Sequence, residues 1–213
     1  IIWLATPFIS RYTSLLSASH SHELQLISPE DTLLDGRLSF VAGLYYSDED
    51  ATFTEAFDFL PGACVAFAPT PGLRAVCLAG PQQGVAALNF EQTSDSFAVY
   101  GQADVNLTDQ LTLQVGGRWT RDERDGHFVQ LAATPFAGLA LRAPENTTLA
   151  FSDEQPTYRL GLNWTPTEDV LVFTSYSTGY KAGGFSSSGG TPALGVASRT
   201  FQSENATNYE LGV

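Results

Sequence analysis

With 213 residues and a formal charge of −13, the chain is long enough to bury a core and too acidic for a nucleic-acid partner, which requires clustered Lys and Arg. The hydrophobic fraction of 43% is ordinary, and no run approaches the roughly 18 to 20 apolar residues of a spanning helix. Helical membrane proteins are thereby excluded, whereas β-barrels stay open, because their lipid-facing and lumen-facing residues alternate.

The chain opens Ile1-Ile2-Trp3-Leu4 without the basic n-region of a secretory leader, contains no Met, and stops in an alternation at 208–213, so it reads as a slice of something longer. Residues 1–14 suggest a strand without a clean period. Leu24 and Leu26 flank Gln25 in a short strand at 23–28, and a turn starting at Pro29 runs to about Gly36. Leu38, Phe40, Ala42, Leu44 and Tyr46 then alternate with Ser39, Val41, Gly43 and Tyr45, and Ser47 to Asp50 close that strand in charge. Residues 51–92 read as one long folded connection. It carries the two cysteines, Cys64 and Cys77, whose spacing fits neither a four-ligand zinc pattern nor C-x-x-C. A disulfide closing this loop implies an oxidising compartment and contributes on the order of 3 kcal/mol; two buried thiols are the alternative.

The clearest period follows. Phe97, Val99, Gly101, Ala103, Val105 and Leu107 face one way, as do Leu111, Leu113, Val115, Gly117 and Trp119 after the turn. Both sets are odd-numbered, so facing partners must sum to an even number, as with Leu107 opposite Leu111, and the loop between them must be odd in length. Each strand has about 11 residues, the length of a tilted membrane strand. Residues 126–152 form another long connection. Tyr158, Leu160, Leu162 and Trp164 alternate with Arg159, Gly161 and Asn163 before a polar turn at 165–169. In the next strand either Val170, Val172, Thr174, Tyr176 and Tyr180 or Leu171 and Phe173 share the apolar face. The first option requires a five-residue turn and is preferred. A Gly/Ser-rich connection at 182–203 precedes Tyr209, Leu211 and Val213, which alternate with Asn208, Glu210 and Gly212.

The connections alternate between short and long, which a soluble sandwich has no reason to do and an outer-membrane barrel does. The polar face assembles Tyr100, Gln102, Asp104, Gln114, Arg118, Arg159 and Asn163, candidate lumen-facing residues; cross-strand pairs that merely hold the wall are the structural alternative. Trp119, Trp164 and Tyr180, near strand ends, suit aromatic girdles at the membrane interfaces. No nucleophile elbow, zinc-protease motif, Walker loop or dinucleotide fingerprint occurs, and no catalytic, cofactor or metal residue is assigned; His20 and His22 read as loop polar residues.

Five segments then carry a resemblance: HELQLISPED (22–31), SFVAGLYYSDED (39–50), SFAVYGQADVNLTDQLTLQVGGRWTRDER (96–124), LVFTSYSTGYKAGGF (171–185) and FQSENATNYELGV (201–213). In this order they resemble the barrel of TonB-dependent outer-membrane receptors. The resemblance implies that residues 1–213 are part of a single antiparallel, up-and-down transmembrane β-barrel of 22 strands, contributing seven or eight of them without the plug domain. It implies a Gram-negative outer membrane, lipid as neighbour, the TonB complex as energy source through the missing plug, and a scarce solute as cargo, a ferric siderophore first, with cobalamin or glycan as alternatives. A passive porin, a barrel adhesin and a soluble glycan-binding sandwich are the competing readings.

Overall fold

The computed structural model describes residues 8–29, 33–60, 62–140, 143–187 and 199–213, of which 139 and 140 by backbone alone. The expectations for residues 1–7, for Glu30 and Asp31 of the first turn, and for 188–198 of the Gly/Ser connection lie outside the described residues. Seven strands form one antiparallel sheet in chain order: β1 (Ile9–Ile27), β2 (Leu38–Phe59), β3 (Ala86–Thr108), β4 (Leu111–Ala132), β5 (Glu145–Thr167), β6 (Val170–Lys181) and β9 (Glu204–Gly212). Between the last two, β7 (Gly184–Phe185) and β8 (Thr200–Phe201) make a small separate ladder. Three short helices, α1 (Ala63–Phe67), α2 (Pro71–Ala79) and α3 (Pro135–Ala140), occupy the connections at the end of the sheet opposite the tight turns. Thr70 caps α2 by accepting from the Leu73 amide at 3.3 Å, and Pro71 starts it without an N–H to satisfy.

The register joins the alternating sets into one continuous apolar face. Leu24 lies opposite Leu44, Leu44 opposite Val99, Val99 opposite Trp119, Val115 opposite Leu160, Leu160 opposite Tyr176, and Tyr176 opposite Tyr209. This face is uncovered, with Leu160 at 51% and Leu211 at 79% exposure.

Parity is kept at the tight turns by irregularities. Val105 pairs with Leu113, as an even sum demands, but the closing pair is Thr108 with Leu111 around a two-residue turn. The register shift falls at Leu107, which is therefore not opposite Leu111 as expected; one bulged residue makes the two-residue turn odd in effect. At the β5–β6 turn, Trp164 faces Val172 and Leu162 faces Thr174, so Val170, Val172, Thr174 and Tyr176 share the apolar face. A register shift between Trp164 and Thr167 lets that turn close on Thr167 and Val170.

The main correction concerns strand length. β2 to β5 have 22 or 23 residues, twice the roughly 9 to 11 a membrane strand needs. The connection expected at 51–92 shrinks to residues 60–85, the one at 126–152 to 133–144, and the short strand at 23–28 belongs to a 19-residue β1. The reason is a reversal of the apolar face. Beyond the charged level at Asp48, Asp95 and Glu123, the register continues unbroken, but the apolar residues Phe53, Phe57, Leu88, Phe90, Phe128, Leu149 and Phe151 now stand on the opposite, inner face. Leu88, Phe90, Phe128 and Leu149 bury one another there together with Phe185 of β7. A second small core, with Phe59, Ala63, Cys64, Cys77, Val85 and Phe136, holds α1, α2 and α3 on the strand ends.

Tyr180 is the other correction. β6 pairs with β5 only as far as Ser177, and beyond it the Tyr180 hydroxyl donates to Asp122, an inner-face residue of β4, so Tyr180 does not stand in a girdle on the apolar face.

Candidate functional site

All seven residues of the expected polar face lie on one side of the sheet. Tyr100 stands opposite Arg118, Gln102 opposite Gly116, Asp104 opposite Gln114, Gly116 opposite Arg159, and Thr112 opposite Asn163. The structure draws only some of them together. Tyr100 reaches across β2 to β1, where Gln25 Nε2 donates to its hydroxyl at 2.7 Å and that hydroxyl donates to Glu23 Oε1 at 2.6 Å. The crossing passes over Gly43, where a Cβ would sit 2.5 Å from the Tyr100 ring, so a bare backbone is what opens the way. Arg118 stacks its guanidinium 5.3 Å from the Tyr45 ring centroid and 5.6 Å from that of Tyr100, and its Nε donates to Thr120 at 3.0 Å. Arg159 is exposed. Gln102 is likewise open, whereas Gln114 leans over Gly161. Asp104 and Asn163 sit closer to the tight turns, and one carboxylate oxygen of Asp104 is buried without a hydrogen-bond partner.

A second arrangement, on the same face above the charged level, has no counterpart in the sequence reading. Arg199, beside β8, forms a two-pronged ion pair with Glu145 at the start of β5: Nε donates to Oε1 at 2.7 Å and Nη2 to Oε2 at 2.6 Å. Both side chains are buried, at 4% and 7% exposure, and the guanidinium carbon lies 3.3 Å from the Phe128 ring centroid. Nη1 donates to the Ser186 carbonyl at 3.2 Å, closing the small β7–β8 hairpin over the inner wall. Hydrogen bonds from Arg199 hold the Glu145 carboxyl below the ordinary glutamate range, against the opposing effect of burial. The only hint in the sequence was a single cation emerging from a Gly/Ser-rich stretch. Ser203 donates to Asp153 and ties the start of β9 to the same wall.

Cys64 of α1 and Cys77 of α2 are joined, with Cα atoms 5.6 Å apart. Among the described residues no group of His, Cys, Asp and Glu is placed to hold a metal ion, and His20 and His22 lie opposite Asp48 and Tyr46 on the outer face. Among the same residues no helix is long and apolar enough to cross a membrane, which leaves crossing by strands untouched.

Residues 10–213 match the family described as TonB dependent receptor-like, beta-barrel. The chain belongs to that family. This TonB-dependent receptor segment is 27% identical, over 126 residues, to a protein of Acinetobacter baumannii named probable TonB-dependent siderophore receptor PiuA, covering 58% of the segment and 16% of that protein. Its fold matches the crystal structure of the ferric yersiniabactin uptake receptor FyuA from Yersinia pestis with a TM-score of 0.73 at 19% identity, covering 97% of the segment and 27% of that chain. The segment thus spans about a quarter or less of the length of these relatives. Members of the family are transport and receptor proteins of the Gram-negative outer membrane, and that is the location of this one.

Proposed function

We propose that this chain is a stretch of barrel wall in a receptor that takes up a scarce solute across the outer membrane, a ferric siderophore in the first instance. The apolar face meets lipid, the opposite face lines the lumen, the tight turns are periplasmic and the long connections extracellular. The remaining strands of a 22-stranded barrel close on the two edges, and a plug domain outside this chain couples it to the TonB complex.

The observation that carries this reading is the apolar band. A contiguous patch far larger than the few hundred Å² of a typical soluble surface is left uncovered by seven strands. Tyr46, Phe97, Trp119 and Tyr158 mark its upper edge, and Trp164 its lower one. Trp119 lies opposite Pro156, eight residues along β5 from Trp164. At 3.3 to 3.4 Å per residue this is roughly 27 Å of strand, or ~20 Å of membrane height at a tilt of about 40°, close to the roughly 25 Å apolar band of outer-membrane barrels. The relatives' names, a probable siderophore receptor and a ferric yersiniabactin uptake receptor, support the choice of cargo.

The test is uptake of radiolabelled iron by iron-starved cells lacking the receptor gene, offered a panel of ferric siderophores. Loss of uptake for one of them, restored by the gene, is expected. Unchanged uptake across the whole panel would overturn the assignment of cargo.

A further inference from the structure

β5 is paired along both edges only in its lower part. β4 accompanies it from Glu145 to Trp164, whereas the β6 ladder runs no higher than Arg159 opposite Ser177. Above Ser177, β6 inclines across the inner face: the Tyr180 hydroxyl donates to Asp122 of β4, and Ser203, just ahead of β9, donates to Asp153. The β6 side of β5 at 145–158 is therefore left without a ladder among the described residues. This open edge lies inside the sheet, between β4 and β6, so strands that close on β1 and β9 do not cover it.

The period of two decides which groups the edge presents. The Tyr158 amide donates to the Thr178 hydroxyl of β6 at 2.8 Å, so the even residues of β5 turn their backbone groups to the open side. Pro156, next in that row, has no N–H to leave unpaired, and the Glu154 amide donates to the Asp153 carboxylate at 2.9 Å. The lower part of the edge is blunted in this way. Its upper part is not. The backbone groups of Ser152, Ala150, Thr148 and Asn146 have no ladder partner among the described residues, and all four side chains are exposed, small and uncharged. Leu149 and Phe151, between them, pack inwards with Phe185 and hold the row in place. Ser152 stands opposite Glu123 at the charged level and the rest lies above it, clear of the apolar band. The outward approach is acidic: Asp125 stands opposite Ala150, and Arg121 is the cation between Glu123 and Glu154.

We propose that this edge, at 146–152, docks an extended segment of a partner protein, which joins the sheet as an added strand. Donors and acceptors repeating every two residues match another backbone. The segment's uncharged stretch bonds to the open row, and a lysine or arginine at its end lies beside Asp125 and Glu154. The proposal rests on this end of the sheet being extracellular.

The experiment uses the full-length receptor in outer-membrane vesicles and a lysine-ended peptide of about eight residues that alternates Thr and Val. Hydrogen exchange, read amide by amide, should be fast at Thr148, Ala150 and Ser152 and slow at Leu149 and Phe151. Adding the peptide should slow the first three. Each backbone bond contributes about tenfold in affinity, so Ala150→Pro or Thr148→Pro should weaken binding by about that factor, and full N-methylation of the peptide should abolish it. Replacing its lysines by glutamates should weaken it as well. Slow exchange of the three amides without peptide would show that the receptor's own chain fills the edge and would overturn the site. So would a peptide that leaves exchange unchanged, or binding indifferent to the prolines and to N-methylation. Ser152→Cys that reacts with a membrane-impermeant maleimide only in broken cells would instead overturn the extracellular placement, and the site with it.

Discussion

Arg199 and Glu145 show what a buried charge needs at the scale of single residues. Each would be costly alone on the inner wall; together they satisfy two forks of the guanidinium, and the Phe128 face covers the rest. Glu145→Gln or Arg199→Leu leaves one partner uncompensated and should weaken closure of the β7–β8 hairpin by about 3 kcal/mol. Hydrogen exchange of the Ser186 amide, which donates to the Arg199 carbonyl at 2.7 Å, reports this directly as a loss of protection of roughly a hundredfold. The pH dependence follows from the lowered Glu145 carboxyl. Its contribution is fully present above the ordinary carboxylate pKa of 4.5 and is lost as pH falls through the lower folded value, so the hairpin should hold at pH 6 and loosen in acid only below about pH 4.5. Opening at neutral pH would contradict the pairing. Beyond that single cation in the Gly/Ser-rich stretch the pair was not legible beforehand, because partners 54 residues apart leave no periodic trace.

At the scale of elements, the apolar faces of Phe97 to Val105, Leu113 to Trp119 and Tyr158 to Trp164 were readable because a sheet that is apolar on one face and polar on the other imposes a strict period of two. Strand lengths were not. At the charged level near Asp48, Asp95 and Glu123 the apolar phase changes face, and a period that slips by one residue looks like the end of a strand, although backbone pairing continues through Phe53, Phe90 and Phe128. The same parity logic anticipated an odd connection after β3 but not that Leu107 would supply the odd residue as a bulge, since a bulge has no side-chain signature here. Tyr180 was misplaced for a related reason: β6 leaves β5 after Ser177, and alternation says nothing once a strand has parted from its neighbour. In the 60–85 connection, α1 and α2 are too short to persist alone and depend on the Cys64–Cys77 bond and the core around Phe59. Cys64→Ser with Cys77→Ser should cost on the order of 3 kcal/mol locally. Limited proteolysis of whole cells should then cut within 60–85, while the barrel still resists heat in detergent; an unchanged cleavage pattern would show that the small core suffices.

For the whole molecule, the two faces of the sheet make opposite demands on charge. Val115 points to the uncovered apolar side and Gln114, its neighbour in sequence, to the polar one. Val115→Arg should destabilise the assembled receptor by about 2 to 4 kcal/mol, whereas Gln114→Arg should fall within about 0.5 kcal/mol of the parent, as judged by denaturant titration in lipid vesicles. Equal effects at the two positions would mean that the apolar face packs on protein.

The plain order of the sheet has a mechanical consequence. Among the described residues each strand of the seven-stranded sheet is laddered to its immediate neighbours in the order β1-β2-β3-β4-β5-β6-β9, through some twenty residue pairs per ladder between β1 and β5. A tug across the strands at an edge would load these bonds one after another and peel the wall like a zipper. A drag along the strands loads a whole ladder at once and in shear. The wall is strongest along its strands and weakest across them.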